Sequence, residues 1–189
     1  MKNYEKQLLE IIYQDKQMLS FLKAVEQLNL PDAWICAGLI RNKVWDILHN
    51  ISTPYNDIDV IYFDTSDTSS DTEKQLEIEL KAILPHQPWS VKNQARMHLK
   101  NGLAPFTSSY DGVVHFPETP TSLALQRKNG EVEIIAPYGL EDLFELKVKP
   151  TPLFRKDSEF HTIYLERIKK KKWEKTWNLL TIENSDKFI

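Results

Sequence analysis

The feature that most restricts the fold is a strand, a glycine turn and a helix, followed directly by a second strand. The segment AWICAG at residues 33–38 is a short apolar run that ends at Gly38. The segment LIRNKVWDILHN then repeats apolar residues at helical spacing, with Ile40 and Val44 on one face. After it, DIDVIYF at residues 57–63 is rich in the residues that favour strands. Strand and helix periods that alternate in this way predict helices packed on a sheet.

The spacing of apolar residues in the rest of the chain also alternates between helical and strand patterns. It predicts an amphipathic helix over 5–28 with a break near Asp15, a helix after the polar loop 65–72, a half-buried strand over 89–99, a short helix over 107–115, a hairpin at Asn129-Gly130, a helical segment from Gly139 and a last helix over 158–180. These elements predict an α+β fold with a mixed β-sheet of about five strands flanked by helices. We expect one domain over 1–189, with an N-terminal helical segment (1–30), a core (31–150), a C-terminal helical segment (151–180) and a frayed tail (181–189).

Composition and charge exclude several classes of protein. Hydrophobic residues make up 41% and charged residues 27% of the chain, which is too apolar for a disordered protein. The net charge of −3 does not support an extensive nucleic-acid surface. Cys36 is the only cysteine, which excludes a disulfide framework and predicts a small buried core residue. The charged N-terminus and the lack of a long apolar run predict a cytoplasmic protein that does not enter a membrane.

Two aspartates interrupt the most strand-like stretch of the chain. Because strand side chains alternate, Asp57 and Asp59 share one face of the predicted strand while Ile58 and Val60 fill the other. At about 5 Å and an effective dielectric near 20, two such carboxylates repel by roughly 3 kcal/mol. A divalent cation such as Mg²⁺ reverses the sign of that interaction and bridges carboxylates to substrate phosphates. The alternative is that one aspartate caps the strand end and the other points to solvent.

A candidate phosphate site lies nineteen residues before the first of these aspartates. Gly38 is at the strand-to-helix turn, where backbone amides approach a phosphate closely and the helix N-terminus adds partial positive charge. Arg41 follows three residues into the helix, within reach of a phosphate oxygen. The alternative is that the turn and the aspartates are unrelated.

The segments AGLIRNKVWDIL and DIDVIYFD together resemble the head domain of CCA-adding enzymes and, more widely, the DNA polymerase β-like nucleotidyltransferase superfamily. That superfamily has Gly-Gly-x-Val-Arg-Asp in the turn and helix, and Asp-x-Asp on the next strand. Nearly all of residues 30–180, including NQARMH, APYGLEDLF and the Trp-rich tail, is similar to an uncharacterised bacterial nucleotidyltransferase-like family formerly described as a domain of unknown function.

The resemblance implies roles for residues of both segments. It places the metal-binding aspartates at Asp57 and Asp59, the second turn residue at Gly38, and the arginine that faces the triphosphate at Arg41. The chain departs from the superfamily pattern at two positions, since Ala37 replaces the first glycine and Asn42 replaces the aspartate after the arginine.

The resemblance also implies a third carboxylate on a neighbouring strand. Glu133 is the best match and Glu131, on the same face, is the fallback. Two Mg²⁺ ions held by the three carboxylates would activate a substrate hydroxyl and neutralise the leaving pyrophosphate. Arg96 and His98, on one face of the predicted strand 89–99, either add positive charge beside the nucleotide or are exposed strand residues.

The implied activity is the transfer of a nucleoside monophosphate from a nucleoside triphosphate to a hydroxyl group. The acceptor is open between a small molecule, a protein side chain and a nucleic-acid end. CCA addition itself is not expected, because the chain has no room for the helical domains that hold tRNA. The alternatives are a module that binds nucleotides without turnover and a metal-dependent phosphohydrolase, which would release phosphate rather than pyrophosphate.

The lysine-rich segment ERIKKKKWEKTW allows two interpretations. Lysines interleaved with Trp173 and Trp177 could bind nucleic acid through phosphate contacts and base stacking. We favour the other interpretation, in which the two tryptophans share a helical face packed on the domain and the lysines stay solvated.

Overall fold

The computed structural model describes residues 3–183 of the chain. Its α-helices are α1 (Tyr4–Gln14), α2 (Lys16–Gln27), α3 (Gly38–His49), α4 (Ser70–Ile83), α5 (Gln94–Met97), α6 (Ser109–Val114), α7 (Glu141–Phe144) and α8 (His161–Lys171). Its strands are β1 (Trp34–Cys36), β2 (Ile58–Tyr62), β3 (Trp89–Asn93), β4 (Ala124–Lys128), β5 (Glu131–Ile135), β6 (Lys147–Val148) and β7 (Thr181–Ile182). Among the described residues, no helix combines the length and the apolar character needed to cross a bilayer.

Five of the strands within residues 3–183 form one sheet in the order β3-β2-β1-β4-β5. β2 and β3 are parallel because the α4 crossover joins them, whereas the β2–β1, β1–β4 and β4–β5 pairs are antiparallel. The β4–β5 turn is the hairpin predicted at Asn129 and Gly130, whose φ angles of 52° and 88° suit a two-residue type I′ turn. The predicted α+β fold with a mixed five-stranded sheet flanked by helices is confirmed.

The sheet has a large apolar core on one face and a smaller apolar cluster on the other. Alternate residues of β2, beginning with Ile58, face the large core, which helices and the C-terminal tryptophans complete. Ile61 faces the smaller cluster together with Cys36, which is buried as predicted. Asp57 and Asp59 share the strand period of Ile61, so they emerge on the face of the smaller cluster.

The side chains of Asp15 and Asn93 each cap a helix and so fix where neighbouring elements begin and end. The predicted break in the N-terminal helix is confirmed at Asp15, whose carboxylate accepts from two N–H groups of the first turn of α2, at 2.9 and 3.0 Å. The predicted strand over 89–99 is wrong beyond Asn93. There the Asn93 side chain accepts from the Ala95 N–H at 3.0 Å, which caps α5 and ends the strand.

The C-terminal helix is shorter than the predicted helix over 158–180. α8 ends at Lys171 because Lys172 adopts a left-handed conformation with φ of 49°. The predicted frayed tail over 181–189 is wrong at its start, since β7 pairs in parallel with β6. The rest of that predicted tail, residues 184–189, lies outside the described residues.

Candidate functional site

The predicted aspartate pair lies on one face of β2. Asp57 precedes the strand and is exposed, whereas Asp59 is half-buried within it. On one side, the parallel strand β3 places Ser90 beside Asp59, and a Ser90 hydrogen bond stabilises the carboxylate. On the other side, the antiparallel register of β1 brings Cys36 next to Asp59. The sheet neighbours of Asp59 are therefore a hydroxyl and a thiol rather than a further carboxylate.

The turn between β1 and α3 is held in a conformation that favours glycine. Ala37 has φ of 58° and ψ of −118°. Its N–H donates to the Leu123 carbonyl at 3.0 Å and its carbonyl accepts from the Arg41 N–H at 3.1 Å, so the turn is fixed at both ends. No side chain of the described residues caps α3. The first N–H groups of this helix, beginning at Gly38, are consequently available to an anionic ligand.

A cavity of about 540 Å³ connects this turn with the aspartates. Gly38, Arg41, Asp57 and Asp59 all line it. The remaining wall is formed by the loop over 53–56, by Thr121 and by side chains of the C-terminal segment. The structure thus brings together the turn, the arginine and the aspartate pair that the sequence placed in one site.

Arg41 is a buried wall residue whose guanidinium is held by several partners. It donates to the Asn42 Oδ1 from Nε and Nη2, at 3.2 and 2.7 Å, and to the Thr121 hydroxyl from Nη1 at 3.0 Å. The rings of Trp45 and Trp173 flank it, with centroids 4.9 and 4.5 Å from Cζ. Burial lowers the pKa of Arg41 to about 10, so the group stays charged at neutral pH. A guanidinium carries more N–H donors than these three bonds use, which leaves donors for a ligand oxygen.

The electrostatic environment of Asp59 fits a ligand of a divalent cation. Burial raises the pKa of Asp59, and the charge of Asp57 raises it further, although a Ser90 hydrogen bond and two lysine charges act in the opposite direction. Burial also raises the pKa of the Cys36 thiol, and both aspartates add to this effect. A cation between the carboxylates would offset their repulsion, and Mg²⁺ is commonly held by one or two carboxylates plus substrate phosphates.

The predicted third carboxylate does not join the aspartate pair. Glu133 lies on β5, and β1 and β4 separate that strand from β2, which amounts to about 14 Å at the usual strand spacing. The Glu133 Oε2 accepts from the Gln126 Nε2 at 2.5 Å instead. Glu131, the fallback, lies on the same edge strand. The physical reason is topology, because the hairpin that carries both glutamates joins the sheet through β1 rather than beside β2. Within residues 3–183, no three His, Cys, Asp or Glu side chains form a metal-binding group.

Arg96 and His98 also lie apart from the walls of this cavity. The strand that would have aligned them with the aspartates ends at Asn93, and α5 directs Arg96 toward α4. The Arg96 guanidinium donates to both carboxylate oxygens of Glu73, at 2.7 and 2.6 Å. The His98 ring packs edge-on against Phe106, with 6.1 Å between the centroids.

Further residues of the cavity wall come from the C-terminal half of the chain. They are Thr121, Arg167, Lys171, Trp173, Thr176 and Trp177. Trp173 and Trp177 are buried against the Trp45 ring, with centroids 5.9 and 5.2 Å away, so the predicted packing on the domain is confirmed. The predicted shared helical face is wrong, because α8 ends at Lys171, before both tryptophans. Lys171 nevertheless lines the cavity, and its charge acts on Asp59. The lysine run signals positive charge in the sequence, but only the tertiary structure shows which lysine reaches the site.

Comparison with known sequences identifies the family of this chain. The sequence model of a family described as Nucleotidyltransferase matches residues 23–182, a range that includes both aspartates and the α3 turn. No curated protein matches the chain. The family assignment therefore rests on a match over most of the chain.

Solved structures share the fold. An NMR structure described as revealing a CCA-adding enzyme head domain is 34% identical with a TM-score of 0.83, and the match covers 95% of this chain and 96% of that one. A CCA-adding enzyme in complex with ATP and an apo form of a CCA-adding enzyme are 15% and 14% identical, with TM-scores of 0.58 and 0.56. Each of these two matches covers 93% of this chain but only 43% and 42% of the enzymes, so the chain spans less than half of their length. The chain belongs to the nucleotidyltransferase family and has the fold of a CCA-adding enzyme head domain.

Proposed function

We propose that this protein transfers a nucleoside monophosphate from a nucleoside triphosphate to a hydroxyl group, with Mg²⁺ held by Asp57 and Asp59. The observation that carries the proposal is one cavity that joins two carboxylates, an uncapped helix N-terminus and a buried arginine. The helix N-terminus and the arginine favour phosphate, whereas the carboxylates favour a cation. Opposite charges arranged in this way suit a complex of a metal ion with a triphosphate, and membership of the nucleotidyltransferase family supports the same reaction.

The positive part of the cavity would bind the triphosphate. The N–H groups at the start of α3, beginning at Gly38, would donate to phosphate oxygens. The remaining donors of the Arg41 guanidinium would do the same, and its hydrogen bonds to Asn42 and Thr121 hold it in one orientation. Lys171 lines the same cavity and would add charge close to Asp59. The chain thus contributes placement and charge to the reaction rather than a covalent intermediate.

The negative part of the cavity would hold the metal. Asp57 and Asp59 supply two carboxylates, and phosphate oxygens and water would complete the ligands, as is common for Mg²⁺. Such an ion, when bound, lowers the pKa of a hydroxyl nucleophile and stabilises the charge on the leaving pyrophosphate. Glu133 has no part in this proposal because two strands separate it from the pair. Binding of a second Mg²⁺ ion stays a prediction.

A second candidate function is a module that binds nucleotides without turnover. The observation that favours it is the pair of sheet neighbours of Asp59, where Cys36 and Ser90 stand in place of a third carboxylate. Fewer carboxylates at the site mean fewer ligands for catalytic metal ions. Both functions require nucleotide binding, so only turnover distinguishes them.

Isothermal titration with ATP, CTP, GTP and UTP, with and without Mg²⁺, tests nucleotide binding. We expect the wild-type protein to bind at least one nucleotide only when Mg²⁺ is present, and Asp57→Asn to lose this binding. Glu133→Gln is the matched control, because it makes the same change from acid to amide on β5 and should bind as the wild type does. Binding that ignores both Mg²⁺ and Asp57→Asn would contradict the role given to the aspartates.

Incubation with labelled nucleotides and a panel of hydroxyl acceptors tests turnover. Transfer of the label together with release of pyrophosphate supports nucleotidyl transfer. Release of phosphate would indicate a phosphohydrolase instead. Metal-dependent binding without either product would favour the binding module.

A further inference from the structure

A second cavity, of about 300 Å³, adjoins the cavity proposed for the nucleotide. The two cavities share the wall residues Ala37, Asp59, Thr121 and Arg167. Asp59 therefore faces both of them. A molecule in the second cavity would lie next to a nucleotide in the first, with the Asp59 carboxylate between them.

Apolar and aromatic side chains form most of the wall of the second cavity. They include Met97, Leu103, Phe106, Phe116, Phe154 and Ile163. The Phe106 ring is stacked on the ring of His115, with 4.7 Å between centroids and 20° between planes. Such a wall favours the burial of an apolar body, at about 25 cal/mol per Å² of buried apolar surface. A triphosphate would lose hydration here without gaining polar contacts, so the second cavity suits a different ligand.

The cavity also has cationic side chains, and one of them has no ion-pair partner in the described part of the chain. Lys92 and Arg167 reach the wall, but each is already paired with a glutamate, at 3.3 and 2.6 Å. Lys100 also lines the cavity, and within residues 3–183 it has no ion-pair partner. Asp59 is the one acidic wall residue in the described part of the chain. An anionic group near Lys100 would therefore meet an uncompensated positive charge.

Close packing between two helices holds one side of the cavity. Gly112 of α6 lies against the Gln94 side chain of α5, and a Cβ at Gly112 would clash with the Gln94 Oε1. A larger residue would have to displace Gln94, which is buried and lines the cavity. The wall is thus formed before a ligand binds, which reduces the entropy lost on binding.

We infer that the second cavity binds the acceptor, and that the acceptor is a small molecule with a hydroxyl group, an aromatic or apolar body and an anionic group. This inference rests on the proposed function. The body fits the aromatic wall, the anionic group fits Lys100, and the hydroxyl fits beside Asp59. The volume lies at the low end of the range for small-molecule sites, which favours a small molecule over a protein segment or a nucleic-acid end.

The reaction that this arrangement serves is balanced without an oxidant or a reductant. The acceptor oxygen forms a bond to the α-phosphorus of the nucleoside triphosphate while the bond from that phosphorus to the pyrophosphate oxygen breaks. The products are the nucleoside monophosphate ester of the acceptor and pyrophosphate. The hydroxyl proton passes to solvent water, and the Asp59 carboxylate, which lines both cavities, lies between the acceptor and the nucleotide.

Methyl NMR titration with para-hydroxyphenylacetate tests the inference, because this probe carries all three groups and needs no nucleotide or metal. Two matched probes each lack one group: para-hydroxyphenylacetamide has no charge, and glycerol phosphate has no apolar body. We expect para-hydroxyphenylacetate to shift the methyl signals of Met97 and Ile163. The amide should bind about threefold more weakly, as for an exposed ion pair. Glycerol phosphate should bind at least about tenfold more weakly, because it buries little apolar surface.

Three variants locate the binding in the second cavity. Lys100→Ala should weaken binding of para-hydroxyphenylacetate about threefold and leave the amide unchanged. Met97→Trp should fill the cavity and abolish binding of both, with an otherwise native spectrum as the check on folding. Lys128→Ala is the control, because it removes an exposed lysine on β4 that lies outside the cavity wall.

The outcomes separate this inference from the proposed function. No shift at Met97 or Ile163, or glycerol phosphate binding as tightly as para-hydroxyphenylacetate, overturns the inference even if nucleotides bind. Tighter binding of the amide than of para-hydroxyphenylacetate overturns the anionic acceptor. Asp57→Asn should keep probe binding while it loses nucleotide binding. Probe binding by a wild-type protein that binds no nucleotide overturns the proposed function, and the acceptor role with it.

Discussion

Two charged clusters stand on neighbouring elements of this protein, and they differ in how far the protein itself satisfies their charges. The site cluster is Arg41, Asp57 and Asp59, and it lines the larger cavity. The ion-pair cluster is Glu73, Lys92 and Arg96. At its centre, Glu73 is 1% exposed and accepts from Arg96 through both oxygens and from the Asn93 N–H at 2.8 Å.

The two clusters show opposite pKa shifts, and this difference separates structural charges from functional ones. Burial alone would raise the pKa of Glu73, but hydrogen bonds from Arg96 and the Asn93 backbone outweigh it, so the pKa is lowered. For Asp59, burial and the like charge of Asp57 outweigh the hydrogen bond from Ser90, so the pKa is raised. A carboxylate stabilised by its own protein contributes to folding. A carboxylate left unstabilised beside a cavity is available to a ligand.

Asp59→Asn should give the largest effect, a loss of activity without a loss of stability, and it tests the difference between the two clusters most directly. We expect the rate of nucleotidyl transfer to fall at least about a hundredfold, which corresponds to about 2.7 kcal/mol. The free energy of unfolding should not fall, because the change removes a repulsion. Pyrophosphate release and urea denaturation measure the two quantities. Glu133→Gln is the control and should change neither, and a loss of transfer in that variant would contradict the separation of β5 from the site.

Arg96→Ala should do the opposite, lowering the stability of the protein and leaving nucleotide binding unchanged. It leaves the carboxylate of Glu73 buried without its bidentate partner, and we expect the free energy of unfolding to fall by about 2 kcal/mol, as for hydrogen bonds to a charged group. Nucleotide affinity should stay at the wild-type value, because Arg96 lies outside the cavity wall. Urea denaturation and isothermal titration test both parts. Lys74→Ala is a matched control, since it breaks an exposed pair with Asp71 and should cost less than about 1 kcal/mol. Weakened nucleotide binding in Arg96→Ala would show that the ion-pair cluster is not purely structural.

The pH dependence of stability should differ in sign between the clusters. The pKa of Asp59 is raised from 3.8, so the folded state binds more protons than the unfolded state, and stability falls as pH rises from that value through the raised pKa. The pKa of Glu73 is lowered from 4.5, so its contribution is present above that value and is lost as pH falls through the lowered pKa.

Urea denaturation across this acidic range should therefore give opposite changes in slope for Asp59→Asn and Glu73→Gln. Asp59→Asn should remove the fall in stability with rising pH, and Glu73→Gln should remove the loss of stability with falling pH. Equal slopes in the two variants would contradict the contrast between the clusters.

Ala37→Gly should give the smallest effect, a slight rise in the free energy of unfolding. The φ of 58° at Ala37 favours glycine, and such strain is worth about 1–3 kcal/mol. Part of this gain is offset by the greater freedom of glycine in the unfolded chain, about 0.4–1 kcal/mol. We expect a net stabilisation of about 0.5 kcal/mol, measured by urea denaturation. Leu39→Gly, in the helical first turn of the same element, should instead destabilise the protein, and stabilisation by both variants would exclude relief of strain as the cause.

Elements with a strong local signal agree with the structure. The hairpin at Asn129-Gly130, the break at Asp15 and the strand beginning at Ile58 each follow from residues within a few positions of one another. The predicted strand over 89–99 is too long because the alternation of apolar and polar residues continues past Asn93. There a side-chain cap outweighs the periodicity, and Arg96 and His98 turn away from the site.

The site itself was predictable only where its members are close in sequence. Gly38, Arg41, Asp57 and Asp59 belong to one strand–turn–helix–strand unit, and the structure brings them into one cavity. The predicted location of Glu133 beside the aspartates depended on which strands are neighbours. The antiparallel pairing of β5 with β4 places Glu133 at the far edge of the sheet instead. Such pairing is set by the packing of the whole sheet, which no local pattern contains.

The sequence by itself determined that two carboxylates share a face of a strand and that a glycine turn precedes them, because the strand period and the conformational freedom of glycine act over a few residues. Only the tertiary structure decided what surrounds them. Trp173 and Lys171 reach the site from more than a hundred residues away, and a second cavity opens beside Asp59 between α5, α6 and α8. Contacts of that range form when distant apolar faces are buried together, so their partners are chosen by the packing of the whole core rather than by any one segment.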